Sequence, residues 1–488
     1  MPPAIELNIG HAPSPRRRPG SDEGEGEDDD GAPFRIVVLG DFCGRSREER
    51  APLAQRRPTR IDIDNFEAVF ARLAPRAEIA GLQDRQGRPL RIELETMDEF
   101  SADGIVARLP ADALVPASVL ASVVASATAS APASAPADAD AAALMKRLLG
   151  GELPAGAPAL AAPAPASRQP DAVVDRLIRQ LIGDQLAVPA AAPAAAAPGD
   201  AAASLLRHVL RDPAWRHLEC AWRAVDRFVR ALDMADGAVR LELLDVRADE
   251  LLADLGACAG DPARAALASA FKGDGRGCDI VVSLEEFGPG LPELSLLGGL
   301  AAVAAAQGAV LLAGAAPSLV ALATSDDAQV LASSEARLWH ALRASALAKT
   351  VGLTFPRLLA RLPYGPRDDP VAAFPFDELA DGAGASLHDR LLWRSAALDA
   401  ALLLARGHTQ GGVETAVQLD DLPAFIDRSG DEPRLQAVAE AYLGEGEAGV
   451  LQAAGLITLQ SDRRVPNARV TAWRSIAVSG AELAGSWR

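Results

Sequence analysis

Residues 111–203 are dominated by alanine, proline and serine, and this stretch constrains the fold more than any other. Segments such as Ala162-Pro163-Ala164-Pro165-Ala166 extend and stiffen the chain and offer too little apolar bulk for a core. They predict two globular portions joined by a linker. Two short amphipathic helices are expected inside it. One is Ala141–Leu149, with Leu144, Met145, Leu148 and Leu149 on a face. The other is Asp171–Leu186, capped by Asp171, with Val174, Leu177, Ile178, Leu181 and Ile182 on a face. Helices this short are marginal alone in water, so each is expected to dock, on its own domain or in a partner's groove. Leu144, Leu148, Leu177 and Leu181 are therefore candidate interface residues.

A chain of 488 residues has room for two or three domains. Its 66 acidic against 48 basic residues, a net charge of -18, argue against a nucleic-acid binder. The acidic run Asp22–Asp30, interleaved with glycine, repels itself and predicts a disordered leader over residues 1–33. Four scattered cysteines, Cys43, Cys220, Cys258 and Cys278, show no C-x-x-C spacing and predict buried thiols in a reducing compartment. The start of the chain lacks the order of a signal peptide. The most apolar stretches, Leu294–Val320 and Ala111–Ala131, are broken by Gly, Pro, Ser or Gln, so neither spans a membrane. A cytoplasmic location without membrane insertion is expected.

Outside the linker the periodicity predicts an α/β protein (mixed α+β). Ile36-Val37-Val38-Leu39 reads as a buried strand ending at Gly40-Asp41. Asp64 and Glu67 form a capping-box pair opening a helix with Phe66, Val69, Phe70 and Leu73 inward. Leu90, Ile92, Leu94 and Thr96 alternate with charged residues as a half-exposed strand. Beyond the linker, Trp215, Leu218, Trp222, Val225, Val229 and Leu232 mark a long amphipathic helix. Strand Val239–Val246 follows. Strand Asp279–Leu284, the loop Glu285–Gly290, a helix near Pro292–Gln307 and strand Val310–Ala313 read as a parallel β–α–β unit.

The stretch Ser333–Gly365 reads as a helical hairpin. Leu338, Leu342 and Leu347 give its first face, Leu358, Leu359 and Leu362 its second, with Gly352 and Pro356 between and a turn at Pro363–Pro366. Arg343, Lys349, Arg357, Arg361 and Arg367 punctuate it. Two readings stand: a core pair with its cations in water, or a basic docking element in an acidic protein.

No catalytic constellation emerges. Neither G-x-G-x-x-G nor a P-loop follows Gly40-Asp41, and G-x-S-x-G and H-E-x-x-H are absent. The six histidines show no ligand pairing, and no cofactor or metal site is expected. Glu285 and Glu286 are adjacent on a strand, so they should point to opposite faces and not converge as an acid/base pair.

Two sets of strings carry a resemblance. FRIVVLGDFCGR, RRPTRIDIDNFEAVFARLAPRAEI and DEFSADGIVARLP resemble, in order and spacing, the small contractile-sheath subunit of type VI secretion systems (TssB-like). DPAWRHLECAWRAVDRFVR, LELLDVRADELLADL, EEFGPG, WHALRASALAKTVGLTFPRLLARLPYG, LLWRSAALDAALLLARG and LITLQSDRRVPNARVTAWRSIA resemble the large sheath subunit (TssC-like). The domain order expected is thus leader 1–33, small-subunit-like module 34–110, linker 111–203, large-subunit-like region 204–480 and tail 481–488.

The resemblance implies a structural, non-enzymatic role in a contractile sheath, with small and large sheath subunits as partners around an Hcp-type inner tube. It also brings in a baseplate and an AAA+ ATPase that disassembles the sheath. Large subunits of the family continue into a second region, which implies a specialised capping, baseplate-proximal or modulating role here. The alternatives are a non-polymerising adaptor and an α/β nucleotide- or phosphate-binding enzyme using the Gly40-Asp41 or Glu285–Gly290 loop. On this reading the Leu/Trp face of Ser333–Gly365 is core, and its arginine face is the open interface.

Overall fold

The sheet is built around the apolar run near the start of the chain. β1 (Phe34–Gly40) is buried along its whole length. Phe34, Ile36 and Val38 enter one core, while Val37 and Leu39 enter another, because successive strand side chains point to opposite faces. Such a strand needs cover on both faces and neighbours on both edges. Its neighbours are β5 (Val239–Asp245) and β6 (Ile280–Phe287), both parallel, with Ile36 level with Leu241 on one side and Ile280 on the other.

The computed structural model describes residues 33–83, 87–109, 135–149, 198–234, 236–258, 261–271, 277–380, 387–410, 412, 417–427, 434–435, 438–462, 465–478 and 480–485. The acidic run Asp22–Asp30 and the expected helix Asp171–Leu186 lie outside them.

Among the described residues the main sheet has nine strands. From one edge they run β11 (Gln418–Leu419), β15 (Ala468–Val470), β14 (Leu456–Ser461), β8 (Val351–Phe355), β7 (Val310–Ala315), β6, β1, β5 and β2 (Thr59–Ile61). The block from β14 to β5 is parallel. Antiparallel strands close it at both ends, β2 on β5 and β15 on β14. β3 (Arg76–Gln83) and β4 (Pro89–Glu93) form a separate hairpin, and β9 (Leu358–Leu359) pairs with β10 (Trp393–Arg394). β1 and β2 precede the Ala/Pro stretch in sequence, and every other strand of the main sheet follows it. The boundaries at 110 and 204 mark a change of composition, and one sheet continues across them.

The helices Phe66–Leu73, Pro213–Ala231 and Ala397–Gln410 pack into the first core. Ala248–Ala257, Leu291–Ala306 and Ser334–Ala344 pack into the second. The Pro213–Ala231 helix starts where its sequence dictates. The Asp212 carboxylate accepts the amides of Ala214 and Trp215, and Pro213 occupies the first position, where no amide is needed. Its Trp222 indole donates to the Phe42 carbonyl at 2.9 Å and packs against Phe42, Phe66 and Phe70. Trp215 meets Phe100 at 5.4 Å. The aromatic cluster thus draws on both sides of the linker.

The helix Ala135–Leu148 docks on its own chain. Leu144 and Met145 are buried in the second core, and Ala141 accepts a hydrogen bond from Ser295 Oγ at 2.8 Å. Gly298 and Gly299 make the close approach possible: a Cβ there would fall 2.9 Å from Leu148 and 3.1 Å from Leu144.

Two local expectations are corrected. The Phe66–Leu73 helix is flanked by Asn65, not capped by Asp64; Asp62 and Asn65 exchange side-chain to backbone hydrogen bonds just before it. The second arm of the expected hairpin, marked by Leu358, Leu359 and Leu362, is no helix: Leu358 and Leu359 form β9, and the residues between the expected arms form a further strand. After the Ser333-capped helix Ser334–Ala344, Val351, Leu353 and Phe355 alternate in β8, with Gly352 so tightly placed that a Cβ would lie 2.7 Å from Ile457. A β-branched and aromatic run of five residues between two packed strands satisfies its backbone in the sheet, and tertiary pairing overrides helical spacing.

Replacing Trp222 by Ala removes the aromatic link across the two segments. A loss of about 3–5 kcal/mol is expected, measured by urea unfolding, with the 33–109 and 198–485 segments losing hydrogen-exchange protection together.

Candidate interface site

The C-terminal edge of a parallel sheet is where α/β proteins place ligands, and here two charged networks occupy it. The first lies where β1 and β5 end. Arg50, with 2% of its side chain exposed, bridges Asp41 and Asp245. Asp245 also accepts the amides of Phe42 and Cys43, at 2.8 and 3.1 Å, and Asp41 accepts that of Gly44 at 2.7 Å. Gly44 has φ +63°, and a Cβ there would sit 1.8 Å from the Arg76 carbonyl, so only glycine fits. Arg56 forks onto Glu250 at 2.6 and 3.0 Å. The Gly40–Gly44 loop is thus filled by the protein's own side chains.

Sequence spacing did not reveal that Asp41, Cys43 and Asp245 converge, with one potential ligand atom each within 4.8 Å of the others. Burial, reinforced by Asp245, pushes the Cys43 thiol up to about 12, so it stays protonated. Arg50 already supplies the positive charge.

The second network lies beyond β6 and β8. Arg357 donates to Glu440 from Nε and Nη2, at 2.8 and 2.6 Å, and to Glu286 from Nη1 at 3.4 Å. Burial alone would raise the Glu440 pKa; Arg357 and His388 outweigh it and hold it near 2. For Glu286 burial wins, and Glu440 adds to it, against the pull of Arg357: its pKa is pushed up to about 7. Glu285 and Glu286 line the same cavity of about 480 Å³, with Arg211, Arg216, His217 and Arg394. The pairing of β6 with β7 is irregular between Val282 and Glu286, and such an irregularity re-aims side chains. His217 stands 3.8 Å from Glu285.

A third network is deeper. Arg361 donates to Glu219 at 2.7 Å and forks onto Glu378 at 2.7 and 3.0 Å. Glu378 also accepts the Tyr364 amide, and Arg223 shares Glu219. Arg361 lies 4.0 Å over the Tyr364 ring, whose hydroxyl donates to the Phe100 carbonyl at 2.9 Å. Arg394 and Arg227 share Asp399. These carboxylates carried a faint signal. Glu219 falls on the apolar face of its helix between Trp215 and Trp222, and Glu440 sits in the apolar run Val438–Leu443.

The expected arginine face therefore divides. Arg357 and Arg361 are internal, held by carboxylates brought in from distant elements, which corrects the docking expectation for these two. Arg343 donates to the Ile476 carbonyl at 2.7 Å and is half-buried. Lys349 and Arg367 are exposed. Leu144 is buried and Leu148 half-buried against the chain's own helices, while Leu177 and Leu181 lie outside the described residues. All four cysteines are free thiols, and burial pushes Cys220 and Cys278 up to about 12 as well.

The C-terminal edge of this nine-stranded α/β sheet is packed with ion pairs, and the family is read from comparison with known proteins. Residues 200–477 match the tail sheath N-terminal domain family (EvpB, VipB), more than half of the chain, and residues 21–115 match the type VI secretion system VipA family. The chain belongs to the tail sheath family. It is 28% identical over 239 residues to the type VI secretion system sheath protein TssC1 of Pseudomonas aeruginosa, covering 44% of this chain and 47% of that protein. It is 31% identical over 80 residues to the sheath protein TssB1 of the same organism, covering 16% of this chain and 46% of that protein. The chain thus spans about half the length of each of these curated relatives.

Two outcomes follow from the networks. Arg361→Met leaves Glu219 and Glu378 short of their shared cation and should cost about 3–5 kcal/mol in urea unfolding, with part recovered in Arg361→Met/Glu378→Leu. Glu286 has a folded pKa above its ordinary 4.5, so the folded state holds this proton longer than the unfolded one. Its contribution to stability falls as pH rises from about 4.5 to about 7. Glu286→Gln should flatten that decline, read as melting temperature against pH beside the parent.

Proposed function

We propose that this protein is a structural, non-enzymatic component of a type VI secretion contractile sheath, a fused small- and large-subunit building block acting in the cytoplasm. The observation that carries this reading is the position of β1. A strand from the VipA-like segment lies between β5 and β6 of the VipB-like segment, so the small-subunit part completes the core of the large-subunit part. Two chains that must interleave in this way gain from covalent linkage, which makes their association intramolecular at high effective concentration. The 34–110 and 204–480 portions then correspond to the two sheath subunits, and the Ala/Pro stretch is the tether. Among the described residues no helix is long and apolar enough to cross a membrane, which supports this setting. Further partners on this reading are separate sheath subunits, an Hcp-type inner tube, the baseplate and an AAA+ disassembly ATPase. Lys349 and Arg367 are its exposed interface cations.

Electron microscopy of the purified chain, alone and mixed with a full-length small/large sheath pair, tests the proposal. Tubes, or sheath tubes that carry the chain along their length or at an end, are expected. A monomer that never enters or alters sheath would favour the adaptor reading instead.

A further inference from the structure

Five guanidinium groups line one groove of about 260 Å³ beside the C-terminal ends of β1 and β5: Arg45, Arg50, Arg56, Arg57 and Arg72, with Thr59 at its rim. Arg50 and Arg56 are committed to Asp41, Asp245 and Glu250. The others are not. Among the described residues, Arg45 and Arg72 form no ion pair, and Arg57 donates only to the backbone carbonyls of Ala54 and Arg56. The two carboxylates on the groove wall are engaged elsewhere, Asp245 by Arg50 and Glu49 by Arg76. An acidic chain of net charge -18 therefore keeps a local excess of unpaired positive charge at one place.

Two further features show what fits there. The groove reaches β2 at Thr59, and β2 pairs on one side only and is one edge of the nine-stranded sheet. An edge strand presents free backbone donors and acceptors. Just past its end stands Ile63, 51% exposed. A free anion would use the guanidinium groups alone. An extended peptide would use the guanidinium groups, the strand edge and the apolar contact together.

We propose that the groove formed by Arg45, Arg57 and Arg72 beside β2 is a docking surface for a carboxylate-rich segment of a partner polypeptide. The surface is distinct from the arginines of Ser333–Gly365, and its test does not depend on sheath assembly.

Fluorescence anisotropy with a labelled hexaglutamate peptide and the full chain, in buffer of about 50 mM salt, tests it. Arg45→Gln/Arg57→Gln/Arg72→Gln should weaken binding about tenfold. Its melting temperature should not change, since no ion pair is lost. The control Arg264→Gln/Arg337→Gln/Arg469→Gln removes the same charge at exposed positions elsewhere and should change affinity by less than about twofold. No binding by the parent, or equal weakening by both triple variants, overturns the proposal. So does competition by inorganic phosphate at the concentrations where the peptide itself competes, which would mark a small-anion site.

Discussion

The structure depends on one pairing, that of β1 with β5 and β6. β1 is apolar on both faces and lies inside a parallel block, so it contributes to both cores at once. A parallel strand cannot reach its neighbours by a tight turn; it needs a long connection or a second chain segment. Here the segments on either side of residues 111–203 provide β1 and its neighbours. Trp222, bonded to Phe42 and packed on Phe66 and Phe70, ties the two segments together. Without β1 the sheet would divide between β5 and β6, each with an open edge.

Buried arginines follow from that arrangement. The edge where the parallel strands end gathers carboxylates from several elements: Asp41 just past β1, Asp245 at the end of β5, Glu286 near the end of β6, and Glu440 from far along the chain. Each is met by an arginine from elsewhere, Arg50 or Arg357. Planar guanidinium groups serve several carboxylates in fixed directions, and here they bind elements distant in sequence to one another. In many α/β proteins this edge receives a ligand. In this one much of it is taken up by the chain's own ion pairs.

Much of this was legible beforehand. The β1 run, the Trp215–Leu232 face and the β–α–β unit declared themselves through period and punctuation, and the quoted strings pointed to the sheath family. Ser333–Gly365 was half legible. Its first helix is capped by Ser333 as expected, yet β8 fills the expected break and the short strand β9 stands where leucine spacing had suggested a second helix. A five-residue apolar run has no length to distinguish strand from helix. Arg357 and Arg361 misled for another reason. An arginine in a sequence gives no sign of whether a carboxylate about a hundred residues away will meet it.

By itself the sequence determined the α/β class, the core faces, the absence of known catalytic motifs and the family. Those depend on residue type and local spacing, which a linear chain displays directly. The tertiary structure alone decided that the segments flanking the Ala/Pro stretch share one sheet. It also decided that Leu144 closes against Gly299, that Glu285 and Glu286 line one cavity, and which arginines are held in internal ion pairs. These are long-range pairings, settled by which buried charges and apolar faces meet when the whole chain packs.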